Sequence, residues 1–425
     1  MAAITILTFV SELTDNEILG QKVETIITGV QKRITPHAVY REFKKEAQVL
    51  FLIIGTGGTE KLAYEALEGI PEWTRFFIIA FSGNNSLPAA LELRAALEDK
   101  TGQGVEVIFT REKQNTDFYI GKIVLKAKQT IRLNQFFRGR LGMIGEPSSW
   151  LIASSPDTKK ISQYWPLELI SISEDKVREK YLNQSQRDVE EELDRFMETW
   201  GKKADSVDHI SQEELLKAIR LYLTLKQVVT EEGLLGFTIR CFDWLTDLEV
   251  GACLALSLLI SDSITAGCEG DLPSLITMLF LQNVTGGELP FMANLSSVND
   301  NEIILAHCTV PLAICSSYTL TTHFETGLSI GVRGRISRGE QVIIGRIGGK
   351  NLTQAQWFRG IVVKNVERDD ICRTAVKIVL EPPYPALLKE ALANHYVLVK
   401  GTEEMLDEVK SCWEWIRNLL DKRSP

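Results

Sequence analysis

The sequence predicts an α/β protein: two parallel-sheet α/β domains followed by a β-rich carboxyl-terminal domain. Three observations predict it. In the first third of the chain, continuous apolar runs alternate with amphipathic stretches, as strands covered on both faces by helices require. The same alternation resumes after Phe136. Near Pro290 the texture changes to short β-rich runs separated by Gly and polar turns, the pattern of a mostly antiparallel domain. A chain of 425 residues is too long for one ordinary domain, and these changes divide it into residues 1–135, 136–290 and 291–425.

The elements follow in order. Ile4 to Val10 reads as a strand, Asp15 to Gln31 as a helix and Val49 to Ile54 as a buried strand. Arg75 to Phe81 and Val105 to Thr110 are two more strands, with helical patterns around Glu60 to Leu67 and Ala89 to Leu97. After Phe136, Leu141 to Gly145 reads as a strand and Glu146 to Trp150 as a turn. Helices are expected at Gln186 to Trp200, Gln212 to Thr230 and Asp247 to Ile260, with a short strand at Phe237 to Cys241. The last third offers strands at Pro290 to Leu295, Ile303 to Ala306, Leu328 to Arg333, Gln341 to Ile347, Phe358 to Val363 and Thr374 to Leu380. Glu403 to Leu420 reads as a closing amphipathic helix.

Composition narrows the function. Apolar residues make up 44% and charged residues 24%, values of a globular protein with ample core. The net charge is −9 and the basic residues are dispersed, which argues against a nucleic-acid partner. The segment Met1 to Val10 lacks a basic n-region and a small-residue cleavage site, so it is read as a first strand and not as a signal peptide. No run approaches the roughly 18 apolar residues of a membrane span. The seven cysteines include no C-x-x-C pair, which disfavours a disulfide framework or a zinc ribbon and fits a reducing cytoplasm.

The chemistry-bearing segments are few. Ala266-Gly267-Cys268-Glu269-Gly270-Asp271 lies between two apolar helices, where Asp271 can cap the second, with Pro273 in its first turn. Glu269 is then either a surface loop acid or a buried acid that needs a partner. Pro290-Phe291-Met292-Ala293-Asn294-Leu295, Ala306-His307-Cys308 and Asn394-His395-Tyr396 each place a polar residue at the edge of an apolar strand; packed core histidines give the same pattern. Gly55-Thr56-Gly57-Gly58-Thr59 follows a buried strand, either as an anion cradle of backbone N–H groups or as a tight turn. His323 to Gly327, with Arg333 and Arg335 downstream, borders a pocket or forms a strand with polar residues outward.

Taken in order, Ala266 to Asp271, the following helix with Thr285-Gly286, the strand Pro290 to Leu295, His307-Cys308 and Asn394-His395 resemble the core of the L-fucose/L-arabinose isomerase family. The three-part organisation is similar too, and this chain resembles a compact version of it. The resemblance implies a metal-dependent aldose–ketose isomerase that moves a proton between C1 and C2 of a free sugar through an enediol. It implies a divalent cation, Mn²⁺ or another such as Mg²⁺, bound by Glu269, Asn294 and His395, with Glu269 catalytic. His307 and Asn394 are the implied substrate-binding residues. It also implies a homotrimer or homohexamer, with the amino-terminal domain helping to close a neighbour's pocket.

One position departs from the family. Asn294 stands where the family carries an Asp, an alignment that needs one extra residue in the Gly286-Gly287-Glu288 turn. Asn can offer a carbonyl oxygen to a hard cation but cannot accept a proton at neutral pH. The departure keeps two other readings open: a sugar-binding or regulatory protein of the same fold without turnover, and another metal-assisted reaction such as epimerisation.

Overall fold

The computed structural model describes residues 3–12, 17–44, 46–111, 115–207 and 210–423. Asp15, where the first helix was expected to begin, lies outside them. The chain divides into two compact units, Met1–Gln135 with Ser411–Pro425, and Phe136–Lys410.

The first unit holds five strands: β1 (Ala3–Phe9), β2 (Ala38–Tyr40), β3 (Ala47–Ile54), β4 (Arg75–Phe81) and β5 (Glu106–Thr110). They pair in the order β2-β1-β3-β4-β5, every neighbour parallel. The helices α1 (Glu17–Arg33), α2 (Glu60–Glu65), α3 (Ser86–Thr101) and α4 (Thr116–Phe137) lie between and after them. The period-two alternation of a strand explains why the runs are apolar throughout. Val49, Phe51 and Ile53 face a core built with Ile26, Val30 and Ile123, while Leu50, Leu52 and Ile54 face a second core with Ala63, Ala90 and Leu93. Both faces are buried, so neither set of alternate residues can be polar.

The Gly55–Thr59 loop sits at the carboxyl end of β3. Its polar groups are used locally: Thr56 Oγ1 accepts from the Ser11 N–H at 2.7 Å and Thr59 Oγ1 donates to the Thr56 carbonyl at 2.9 Å. The loop is a tight strand-to-helix turn. α4, which the sequence reading did not mark, completes the cover of this sheet.

The second unit begins with a parallel sheet of β6 (Arg140–Ile144), β7 (Glu168–Ile172), β9 (Leu234–Ile239) and β10 (Thr265–Gly267), in the order β10-β9-β6-β7. Its helices are α5 (Thr158–Tyr164), α6 (Glu174–Leu182), α7 (Gln186–Thr199), α8 (Gln212–Glu232), α9 (Phe242–Leu248), α10 (Cys253–Ser261) and α11 (Leu272–Val284). The single helix expected at Asp247 to Ile260 is two. Glu249 takes a left-handed conformation (φ 53°) that ends α9, and the Gly251 N–H is tied to Ser329 Oγ at 2.7 Å before α10 starts. α10 is apolar on every side and its residues Cys253 to Ile260 are all buried, the mark of a core helix.

The remaining strands are β11 (Phe291–Asn299), β12 (Glu302–His307), β13 (Ser317–Thr322), β14 (Ile330–Arg335), β15 (Gln341–Gly348), β16 (Gln354–Asn365), β17 (Thr374–Glu381) and β18 (His395–Lys400). Six of them close a barrel in the order β11-β12-β17-β16-β15-β18, with every pair antiparallel. β13 and β14 form a smaller sheet that takes β8 (Ala204–Val207) from the preceding segment as a parallel neighbour. That pairing ties residues 136–290 to the strands after them. The fold class is therefore α/β, with parallel-sheet segments and a β-rich segment after them. Among the described residues, no helix is long and apolar enough to cross a membrane.

Candidate metal centre and its cavity

The site grows from the loop between β10 and α11. β10 ends at Gly267 beside β9, and the Gly270 N–H bonds the Ile239 carbonyl at the carboxyl end of β9. This is the edge of a parallel sheet where ligands collect. The loop carries consecutive left-handed residues, Glu269 (φ 61°) and Gly270 (φ 74°). Gly is required at 270 because a Cβ there would lie 2.6 Å from Pro147 Cα. Glu269 has no such licence; a bulky residue held at positive φ stores strain, which tends to persist at functional positions. The Ser148 N–H fixes the Glu269 carbonyl at 2.9 Å.

Glu269 is only 8% exposed and its side chain meets three partners. The Trp150 indole N–H donates to Oε2 at 2.7 Å. Oε1 lies 3.6 Å from His307 Nε2 and 3.5 Å from His395 Nε2. Burial works to raise the pKa of this carboxyl, but the two imidazoles outweigh it and hold the group well below the usual carboxylate range.

The barrel supplies both histidines. β11 runs between β12 and β18, so Asn294 pairs with Ala306 on one side and with His395 on the other. His307 ends β12 and His395 begins β18. Register therefore brings residues about a hundred positions apart onto one rim. Asn394 Nδ2 donates to Asn294 Oδ1 at 3.1 Å.

Each imidazole is held from behind. His395 Nδ1 donates to Asp271 Oδ2 at 2.8 Å. Asp271 Oδ1 accepts the Ser274 N–H at 2.7 Å as the cap of α11, and Arg346 Nη1 lies 3.2 Å from Oδ2. Burial would raise the Asp271 pKa, but Arg346 and then His395 bring it down to about 2. Burial would lower that of His395, but Asp271 and Glu269 push it up to about 9. His307 Nδ1 meets Thr309 Oγ1 at 3.1 Å. Its Nε2 is buried and, among the described residues, has no hydrogen-bond partner; a buried imidazole nitrogen of this kind beside a carboxylate is suited to ligate a metal ion.

Glu269, His307 and His395 offer one donor atom each, all within 4.8 Å of one another, and together could hold a divalent metal ion. An imidazole backed by a carboxylate is the usual support of such a ligand. The group opens on a cavity of about 310 Å³, lined among others by Trp150, Glu269, Asn294, His307, Glu325 and Asn394. That is the lower end of the range for small-molecule pockets. His395 is fully buried beneath it.

All five residues singled out in the sequence thus lie at or directly under one cavity. His307 stands at the same distance from Glu269 as His395 does, and the Asn294 side-chain oxygen is engaged by Asn394. Three residues with roles here were not read from the sequence as site residues. By sequence alone Trp150 falls in a turn, Asp271 at a helix cap, and Arg346 at one position of an apolar strand. The signal for Arg346 was present: a charge inside Val342-Ile343-Ile344-Gly345-Arg346-Ile347 must find a partner when that strand is buried. His323 to Gly327 is a hairpin loop between β13 and β14 and not a strand, and His323, Phe324 and Glu325 line the cavity.

Fold and site together define an α/β protein with a β-barrel segment whose rim supports a candidate divalent-metal centre in a small cavity. No family model matches the chain. It is similar to a sulfoquinovose isomerase of Alkalicoccus urumqiensis, 27% identical over 190 residues, which are 41% of this chain and 42% of that protein. It is also similar to sulfoquinovose isomerases of Priestia aryabhattai and Priestia megaterium, each 26% identical over 125 residues, 29% of this chain and 27% of theirs. The matched stretches span less than half the length of these relatives.

Proposed function

We propose that this chain is a metal-dependent aldose–ketose isomerase acting on a free sugar, with Mn²⁺ or a similar divalent cation held by Glu269, His307 and His395. The observation that carries the reading is the convergence of these three side chains on one small cavity. The similarity to proteins named as sugar isomerases supports it. A bound divalent ion would hold the sugar's carbonyl and hydroxyl oxygens and stabilise the negative charge that develops on them.

The chain's own residues have distinct tasks in this reading. Trp150 fixes Glu269 Oε2, so the carboxylate keeps one orientation. Glu269 removes the proton from one of the two carbons and returns it to the other. Asn294 and Asn394 present amide groups to sugar hydroxyls from the rim. Glu325 is a second carboxylate at the cavity wall and can exchange the hydroxyl proton, a task Asn294 cannot perform.

Substrate class follows from the lining. Among the described residues that line the cavity there is no Lys or Arg, so nothing there pairs with a fixed anionic group. A neutral pentose or hexose suits it better than sulfoquinovose, the sugar in the relatives' names. The test is a panel of neutral aldoses together with sulfoquinovose, incubated with the Mn²⁺-loaded protein and followed by ketose formation. Turnover of a neutral sugar abolished by Glu269→Gln is the expected result. Mn²⁺ binding with no ketose from any sugar would replace this reading with sugar binding without turnover. The amide at Asn294 and its pairing with Asn394 favour that alternative over epimerisation.

A further inference from the structure

Five of the chain's seven cysteines, Cys241, Cys253, Cys268, Cys308 and Cys372, line the same cavity. They fall into two groups. Cys241 and Cys268 face each other with their sulfurs 3.0 Å apart. Cys253, Cys308 and His323 form the other group, one donor atom from each lying within 4.8 Å of the other two. Cys372 lines the same cavity just outside that close group.

We propose that Cys253, Cys308, Cys372 and His323 form a second metal site, a Cys₃His centre for Zn²⁺, beside the Glu269–His307–His395 group. A tetrahedral zinc ion about 2.3 Å from each sulfur sets its ligand atoms about 3.8 Å apart. Cys253, Cys308 and His323 lie within about 1 Å of that spacing, and Cys372 would swing in from outside the close group to complete the tetrahedron. Packing alone does not call for the further arrangement. The Arg373 N–H points at Cys308 Sγ at 3.4 Å, the kind of contact that stabilises a metal-bound thiolate. Thr326 Oγ1 meets His323 Nδ1 at 3.3 Å and leaves Nε2 as the nitrogen to bind. Cys253, Cys308 and His323 are 3%, 1% and 6% exposed, the enclosure of a closed site. Binding forms zinc–sulfur bonds and releases the thiol protons to water.

The two sites differ in chemistry. Glu269 with two imidazoles is oxygen- and nitrogen-rich and suits a hard ion; three sulfurs with one imidazole suit a soft one. They are joined by one peptide bond, since His307 and Cys308 are consecutive. The ligands come from four places: the start of α10, the end of β12, the β13–β14 loop and the segment before β17. Zinc would therefore pin the loop that carries Glu325 to the strand end that carries His307. That gives it a structural role in the cavity wall, and its sequence spacing matches no zinc ribbon because the topology assembles it.

The experiment is a Co²⁺ titration of the reduced, metal-free full-length protein. One equivalent should give the sulfur-to-cobalt charge-transfer absorption and the intense visible bands of tetrahedral thiolate cobalt, and one equivalent of Zn²⁺ should bleach both. Cys308→Ser should abolish these bands. Cys372→Ser, at a half-buried position where the fold tolerates change, should lower Co²⁺ and Zn²⁺ affinity at least tenfold with circular dichroism unchanged. Glu269→Gln and Cys241→Ser should keep the bands. Weak octahedral cobalt absorption without the charge-transfer band would overturn the proposal, and so would thiolate bands that survive in both Cys308→Ser and Cys372→Ser.

Discussion

His395 Nδ1 lies 2.8 Å from Asp271 Oδ2, and Arg346 Nη1 lies 3.2 Å from that same oxygen. Arg346 and Asp271 are 1% and 0% exposed and His395 is fully buried. One carboxylate thus caps α11, neutralises a buried guanidinium and aims an imidazole at the cavity. Removing its charge has two separable consequences. Asp271→Asn keeps an oxygen for the cap but loses the anchor of His395, so Mn²⁺ affinity should fall about 10–100-fold, the usual effect of losing such a support. Either substitution leaves the buried Arg346 charge without its counter-ion and should cost about 3–5 kcal/mol of folding stability, with Asp271→Ala the worse of the two because it also removes the cap of α11. Calorimetric Mn²⁺ titration reads the first and urea unfolding the second. Unchanged Mn²⁺ affinity in Asp271→Asn would mean that His395 is not a ligand.

Glu269 carries the proton in the proposed reaction, whereas Asn294 sits on the rim with its oxygen engaged by Asn394. Glu269→Gln should lower kcat by about 10²–10⁴-fold, while Asn294→Ala should act mainly on KM. Asn294→Asp adds a negative charge beside the cation and should tighten Mn²⁺. Steady-state kinetics and Mn²⁺ titration of the three variants decide the assignment. If Asn294→Ala lowers kcat as severely as Glu269→Gln does, the division of labour is wrong.

Gly270 is a further point of control. Its φ of 74° suits Gly, and a Cβ would lie 2.6 Å from Pro147 Cα, a backbone atom that cannot swing aside. Gly270→Ala should therefore destabilise the protein by about 1–3 kcal/mol or more. It should also displace Glu269, so Mn²⁺ binding should weaken with it. Thermal unfolding with and without Mn²⁺ would register both effects; a variant with unaltered melting would show that the loop is freer than its geometry implies.

Alkaline stability should depend on Tyr222. Its burial, and then its hydrogen bond to Asp262, push the phenol up to about 12, with Lys226 working the other way. The phenol titrates near 10 in an unfolded chain. A group raised in the folded state gives its full contribution below pH 10 and loses it as pH rises from 10 through 12. The loss should be about 2–3 kcal/mol. Urea unfolding across that window should show stability falling with pH, and Tyr222→Phe should flatten the slope. An identical slope in wild type and variant would assign the alkaline loss to other groups.

Much of the fold was legible because burial on both faces leaves a plain mark. Val49 to Ile54 and Arg75 to Phe81 must be apolar at every position to fill two cores, and their ends were read to within two residues. The loop Cys268 to Asp271 was also legible, since two acids and a glycine between apolar helices have few places to go, although the short strand β10 just before it (Thr265–Gly267) was not. Harder to read was anything set by a left-handed turn or by sheet register. Glu249 looks like an ordinary helical residue, yet its φ of 53° divides one expected helix into α9 and α10. His307, His395 and Asn294 could each have been a packed polar residue on an apolar strand. Only the barrel's register, with Asn294 between Ala306 and His395, turns three separate residues into neighbours.

The sequence by itself therefore determined the local states: which runs are doubly buried strands, which helices are amphipathic, and which few polar residues sit among apolar ones. Those follow from hydrophobic periodicity and turn chemistry, which act over a few residues. The tertiary structure alone decided who meets whom. It placed Trp150 and Arg346 around the Glu269–Asp271 loop, and gathered Cys253 and Cys308 against His323. The reason is physical: a buried charge or thiol needs a partner, but nothing within a few residues of it says which distant strand will supply one. Barrel closure and strand register make that choice, and they are properties of the whole packed chain.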